Sequence, residues 1–190
     1  DSINAYLSPS KSSIVFKRSS PLSDIPKMCL GNMPKDDGNL ILSTEEKNHF
    51  LFENPEAKPY VKLLLGAYEF LNGAERWCFW LKKKDLNTAL KIPFIKERVQ
   101  KVKTFRLASS DKSANLMGST PHKFREQHES IKGSIIIPTV SSERRKYIPI
   151  GYLDSDTIIV APNNAIYDPP NYLFSLLTSN IHMVWMKTFS

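Results

Sequence analysis

Ser134-Ile135-Ile136-Ile137-Pro138 and Tyr147-Ile148-Pro149-Ile150-Gly151-Tyr152-Leu153 are two apolar runs, and Ser141-Ser142-Glu143-Arg144-Arg145-Lys146 lies between them. The pattern predicts two strands joined by a polar, cationic loop. Two rigid segments would then hold up three adjacent cations and two hydroxyls, groups that bind phosphate and read guanine. A charged turn between strands is often no more than a solubilising loop, so the distribution of charge over the rest of the chain decides its weight.

That distribution is uneven. The formal net charge is +7, yet the stretch from Lys91 to Lys146 holds 13 of the 26 Lys and Arg against 5 of the 19 Asp and Glu. All of the positive excess therefore sits in one contiguous region, the electrostatic footprint expected of a polyanion partner. A solvated helix face rich in Lys would also carry such charge. At 190 residues the chain suffices for one domain with a real core. Cys29 and Cys78 are the only cysteines and form no CxxC pair, which speaks against a zinc knuckle and for a reducing, cytoplasmic setting. No apolar run reaches membrane-spanning length, and no signal-peptide layout opens the chain. Its first residue is Asp rather than Met, which points to a piece of something longer.

Outward from the loop, mixed strands and helices without βαβ alternation predict an α+β fold: an irregular, mostly antiparallel, twisted or partly closed sheet packed with several helices. Residues 1–24 read as an N-terminal strand, Ser12–Lys17, and a Pro- and Ser-rich linker; residues 25–190 form the main domain. Asp36-Asp37-Gly38-Asn39 turns into the strand Leu40–Leu42. Ser43 and Glu46 have capping-box spacing for a helix through Phe52, and Asn54-Pro55 opens a second, short one. Phe70 to Leu81 reads as a hairpin turning at Asn72-Gly73, its second strand apolar enough to be central or buried on both faces. Asp85 caps a brief helix. From Pro93 to Leu107, Ile95, Val99, Val102 and Arg106 recur at helical spacing, with Lys96, Lys101 and Lys103 opposite and Arg98 at the border. Pro121 starts a short helix near Lys123 and Arg125, Thr157–Ala161 is a further strand, and a last helix runs from Tyr172 to Met186.

Catalytic patterns are weak. Asp168-Pro169-Pro170-Asn171-Tyr172 resembles the Asp-Pro-Pro-Tyr of amino-methyltransferases, but Asn171 interrupts it and no glycine-rich cofactor loop accompanies it. It reads better as a proline-led helix start. His49, His122, His128 and His182 are scattered, with no two at metal-ligand spacing. No metal or catalytic residue is expected. Trp77, Phe79 and Trp80 could stack on bases, though a strand this apolar fits a core better.

Four segments, taken together and in order, resemble the target recognition domain of MmeI-like DNA methyltransferases, the single-chain restriction–modification enzymes. They are Phe70–Leu81; Arg98-Val99 with Arg106-Leu107-Ala108-Ser109; Val140–Pro149; and Leu177–Trp185. Gly31–Gly38 is similar to that domain's early turn, while Tyr68 and the Asp-Pro-Pro stretch depart from the pattern. The resemblance covers residues 25 to 189. It implies a parent chain with an adenine-N6 methyltransferase domain that binds S-adenosylmethionine, often with a nuclease domain, and continuing beyond the last residue here. The recognition domain itself would hold no cofactor.

On this reading the expected partner is double-stranded DNA, beside the methyltransferase domain of the same parent. Arg144 and Arg145 are the candidates for reading guanine, and Lys146, Ser141 and Ser142 for holding phosphates. Arg98, Lys101, Lys103 and Arg106 would add a backbone-tracking surface or further base contacts, unless part of that set pairs internally with Glu97 or Glu143, and Lys123 completes the DNA-binding set. An RNA-binding module and a protein-interaction domain with an acidic partner remain the alternatives.

Overall fold

The computed structural model describes residues 16, 18, 20, 22–142 and 144–189. The strand expected at Ser12–Lys17 lies outside them, apart from Phe16, which has no regular structure.

The apolar run around Cys78 forms strand β4 (Trp77–Phe79), and its place in the sheet explains its composition. It lies between β2 (Ile41–Leu42) and β3 (Val61–Leu65), antiparallel to both, while β7 (Thr157–Ile159) pairs parallel with the far side of β3. A central strand with helices packed against its sheet has no solvent face to mark with polar residues. The second sheet is antiparallel throughout, in the order β1 (Cys29–Leu30), β8 (Asn164–Tyr167), β5 (Ser134–Ile137) and β6 (Gly151–Leu153). The architecture is α+β, with two partly open sheets, several helices and a helix at the C-terminal end.

The capping box holds as expected. Ser43 Oγ accepts from the Glu46 N–H at 3.1 Å, Glu46 Oε2 accepts from the Ser43 N–H at 3.0 Å, and α1 (Thr44–Glu53) follows. Asn54 precedes the 3₁₀ turn Pro55–Tyr60 without a side-chain cap, its amide donating back to the Phe50 carbonyl instead. The core-facing stripe of α4 (Pro93–Ala108) buries Ile95, Val99 and Val102 against the first sheet. Phe50 of α1 meets Phe79 edge-on at 5.3 Å and stacks on Phe94 at 5.0 Å. Each such buried side chain contributes about 1.5–3 kcal/mol. The three isoleucines of β5 serve both faces of their sheet. Ile135 packs with Ile166 and with Leu173 of α6 (Asn171–Leu177), and Ile136 packs with Ile159 and Ala165.

Several expectations are corrected. Phe70 to Leu81 is not a hairpin: α2 (Ala67–Asn72) occupies its first half, and only β4 is strand. Glu69 Oε2 accepts from the Gly66 N–H at 2.8 Å to start that helix, and Gly73 ends it at φ 65°. Asn-Gly here is a helix terminus rather than a two-residue turn, because glycine relieves the left-handed strain in either setting. Asp85 precedes α3 (Leu86–Ala89) without a side-chain cap. No helix starts at Pro121; α5 (Lys112–Leu116) forms earlier, capped by Asp111 Oδ1 on the Ser113 N–H. The strand expected over 147–153 is regular only from Gly151, since the Ile150 N–H turns back to the Ile148 carbonyl at 2.9 Å. The last helix is two, α6 and α7 (Asn180–Phe189). Thr178 Oγ1 donates to the Phe174 carbonyl and Ser179 Oγ accepts from the His182 N–H, so a hydroxyl pair ends one helix and caps the next.

The two sheets meet along Gly31-Asn32. Asn32 bridges to Val160, the residue after β7, while the Val160 N–H bonds to Leu65 on the opposite side. The Asn32 side chain is fully buried. Its amide donates to the carbonyls of His128 and Ile159 and to Tyr167 Oη, and its Oδ1 accepts from the His128 N–H at 2.8 Å. A Cβ on Gly31 would lie 2.9 Å from the Ile159 carbonyl oxygen, so only glycine permits the approach. Asn32→Ala takes the side-chain partner from the His128 N–H and carbonyl, while the Ile159 carbonyl keeps the backbone N–H of residue 32, and should cost about 1–3 kcal/mol. Urea unfolding should show a lower midpoint with unchanged slope.

Candidate nucleic-acid interface

The cationic loop is longer than its sequence suggests, running from Pro138 to Ile150 between the paired ends of β5 and β6. Ile136 lies opposite Gly151, so the loop stands on a hydrogen-bonded ladder whose β5 side is buried. Its tip is shaped by Ser142. The hydroxyl accepts from the Arg144 N–H at 3.3 Å, and the carbonyl accepts from the Arg145 N–H at 3.0 Å. The turn commits backbone groups and the Ser142 hydroxyl, and leaves the cationic side chains exposed. Ser141, Ser142, Arg144, Arg145 and Lys146 are all exposed, and none of the three cations forms an ion pair among the described residues. Lys146 Nζ lies 5.6 Å from the Tyr147 ring centroid. Glu143 lies outside the described residues.

A residue that sequence reasoning missed joins this loop. Met183 and Lys187 of α7 line one small hollow with Ser141, Ser142, Arg145 and Tyr147. Lys187 is the only cation of α7, in its last turn, where a lysine is ordinarily read as a partner of the helix dipole. Only the packing of the helix beside the loop reveals it as part of a cationic cluster.

The cations of α4 divide. Lys103 is exposed with no ion pair among the described residues, and Lys101 pairs with Glu97 at 2.8 Å, one turn before it. Lys123 is half-buried. Arg98 is drawn inward. It donates to Glu46 Oε1 at 2.5 Å and to the Ile41 carbonyl at 3.2 Å, and lies over the Phe94 ring. It braces α4 against α1, so its guanidinium is engaged within the protein, and its ion-pair partner among the described residues is Glu46 rather than Glu97.

Arg106 is corrected outright. It is fully buried, and its guanidinium donates to five carbonyls: Lys35 from Nε at 2.8 Å, Met117 and Thr120 from Nη1, and Pro34 and Lys123 from Nη2 at 2.8 and 2.7 Å. All donors of the fork are satisfied, and no part of it reaches the surface. Burial lowers its pKa, offset in part by the negative charge of Asp36 nearby. Asp36 itself is raised by burial, against the hydrogen bond that its Oδ2 accepts from the Leu40 N–H at 2.6 Å and the attraction of Arg106.

Asp168 is likewise structural. It sits at φ 50° and its Oδ1 accepts from the N–H groups of Ile131 and Lys132, which together lower its pKa. Burial pushes the Cys78 thiol far above its ordinary range, so it stays protonated. His122 is buried beside Lys123 and Arg106, and its pKa is lowered, mainly by burial. Among the described residues no group of His, Cys, Asp and Glu is arranged to hold a metal ion, and no helix is long and apolar enough to cross a membrane.

Fold and site define an α+β module that presents a cation-tipped strand-to-strand loop. The chain belongs to the family described as MmeI, target recognition domain, whose model matches residues 9–190. It is 40% identical over 185 residues to DNA methyltransferase A of Bacillus subtilis (strain 168), covering 97% of this chain and 21% of that protein. Among solved structures it is similar to the Type IIL restriction-modification enzyme MmeI in complex with DNA, at a TM-score of 0.82 and 38% identity, over 98% of this chain and 25% of that one. The chain thus spans about a fifth to a quarter of the length of these relatives.

Arg106→Ala should strand several buried carbonyls and lower stability by at least about 3 kcal/mol. Arg106→Lys, with three donors on a point charge, should recover little of that loss in thermal unfolding.

Proposed function

We propose that this domain is the sequence-reading part of a DNA methyltransferase of the restriction–modification type, and that it docks on duplex DNA through the loop Pro138–Ile150. The observation that carries this reading is the exposure of Arg144, Arg145 and Lys146 at the tip of a loop whose base is fixed by the β5–β6 ladder. Family membership and the likeness to an enzyme described in complex with DNA support it. Arg144 and Arg145 are assigned to guanine O6 and N7 in the major groove, where a guanidinium fork matches both acceptors. Lys146, Ser141, Ser142 and Lys187 are assigned to phosphates that fix register. Lys103, Lys101 and Lys123 are assigned to more distant backbone contacts; Arg98 and Arg106 are withdrawn from the binding set.

The parent's chemistry is adenine-N6 methylation on this proposal, with S-adenosylmethionine and the extruded base held in its methyltransferase domain rather than in this one. A nuclease in the same parent would act on the same recognised sequence. The setting is the cytoplasm, where such an enzyme meets DNA.

Replacing Arg144 or Arg145 with Ala should cost about 1–3 kcal/mol of discrimination at one base pair, read as a relaxed motif in methylation-site sequencing of the parent. Lys103→Ala or Lys187→Ala should weaken binding to all duplexes alike and reduce the slope of log affinity against log salt by about 1 each. An unchanged motif after both arginine replacements contradicts the assignment. Stronger competition by single-stranded RNA than by duplex DNA favours the RNA-binding alternative instead.

A further inference from the structure

Asp154 follows β6 at the end away from the cationic loop, and there a hollow of about 620 Å³ opens between α1, the 3₁₀ turn, β3, β4 and the β6–β7 turn. Three residues of strand separate the two sites, roughly 10 Å along the chain. The floor of the hollow is apolar, made by Leu51, Pro59, Val61, Leu63 and Trp77. Trp77 is oriented by its indole N–H, which donates to Thr44 Oγ1 at 3.3 Å. Lys47 Nζ lies 4.0 Å from the Trp77 ring centroid, and Lys58 is exposed at the rim.

The charges around the hollow are not equivalent. Lys62 is ion-paired with Asp156. Asp154 Oδ1 is occupied within its own turn, accepting from the Asp156 N–H at 3.0 Å and the Thr157 hydroxyl at 2.8 Å. Lys47 and Lys58 have no carboxylate partner among the described residues. The donors to Asp154 are neutral and leave its charge in place, so the aromatic and aliphatic floor has beside it two unpaired ammonium groups against one carboxylate, a net positive charge.

We propose that this hollow binds a nucleoside phosphate. Its volume suits a ligand of that size, and an apolar lining with a few placed polar groups is the usual composition of such a site. A flat base takes the place of the Lys47 ammonium on the indole, where stacking is worth more than the exposed cation–π contact it replaces. The displaced ammonium then meets the phosphate together with Lys58; lysines act on phosphate as mobile point charges, so the exchange needs no backbone movement. A bare anion would leave the floor unused, and a neutral nucleoside would leave both lysines unused. The inference is independent of the duplex-reading role of the loop.

Isothermal titration calorimetry with adenosine 5′-monophosphate, adenosine and inorganic pyrophosphate tests it on the protein and on the Lys47→Ala/Lys58→Ala double variant. The expected result is that the monophosphate binds more tightly than either other probe. The double variant should lose about tenfold or more of that affinity while keeping its weak affinity for adenosine. Duplex binding, measured in parallel by fluorescence anisotropy, should be unchanged. Failure of the monophosphate to bind, equal binding by wild type and variant, or pyrophosphate binding as tightly as the monophosphate each overturns the proposal. Loss of duplex affinity in the variant, without loss of the monophosphate, overturns it in favour of DNA backbone contact at these lysines.

Discussion

One buried amide joins the two halves of this fold. Asn32 sits where the sheet containing β7 meets the sheet containing β5, and its side chain satisfies backbone groups of Ile159 and His128 while its own backbone pairs beside Val160. Asn32 is fully buried, so an apolar residue of equal size would take their side-chain partner from the His128 N–H and carbonyl. Gly31 completes the constraint, since a side chain there would push the strands apart. The cationic loop belongs to the second sheet and most of the core to the first, so this seam fixes where the loop stands relative to the body.

Arg106 acts in a similar way at a different junction. It gathers the carbonyls of Pro34 and Lys35, which follow the seam, and those of Met117, Thr120 and Lys123 onto the inner face of α4. Irregular backbone is costly to bury because its polar groups lack regular partners, and a five-donor fork can satisfy a cluster of them at once. The charge is retained because the donors are all used and Asp36 lies close by. The net effect is a scaffold in which loops, not only helices and strands, are held rigid. That matters for a protein whose exposed cations also stand on a loop, because a base contact needs a guanidinium placed to within a fraction of an ångström.

Much of this was legible in the sequence where local chemistry alone decides the outcome. The Ser43–Glu46 box, the length of α4 and the centrality of Cys78 followed from spacing and apolar pattern. Elsewhere a signal was present but carried two meanings. Arg106 lies four residues after Val102 on the buried stripe of α4, so its position already argued for the interior, while its charge argued for the surface. Position prevailed because distant carbonyls converge on it, which no local pattern discloses. Asn72-Gly73 fits a hairpin turn and a helix terminus equally well, and Glu69 capping Gly66 decides between them. β8 is short, flanked by Pro162 and Pro169, and gains its strand character from β1 and β5, which are remote in sequence. Of the site, the exposed loop tip was readable and the contribution of Lys187 was not, since it arises from the packing of α7 beside the loop.

On the proposed function, guanidinium groups carried on the β5–β6 loop enter the groove of a double helix. A crystal structure of the protein with a duplex carrying its own target sequence tests this most directly. Arg144 or Arg145 should then lie within about 2.7–3.2 Å of guanine O6 and N7, with Arg106 still inside on its carbonyls. A groove filled by some other element, with both loop arginines left in solvent, would contradict it.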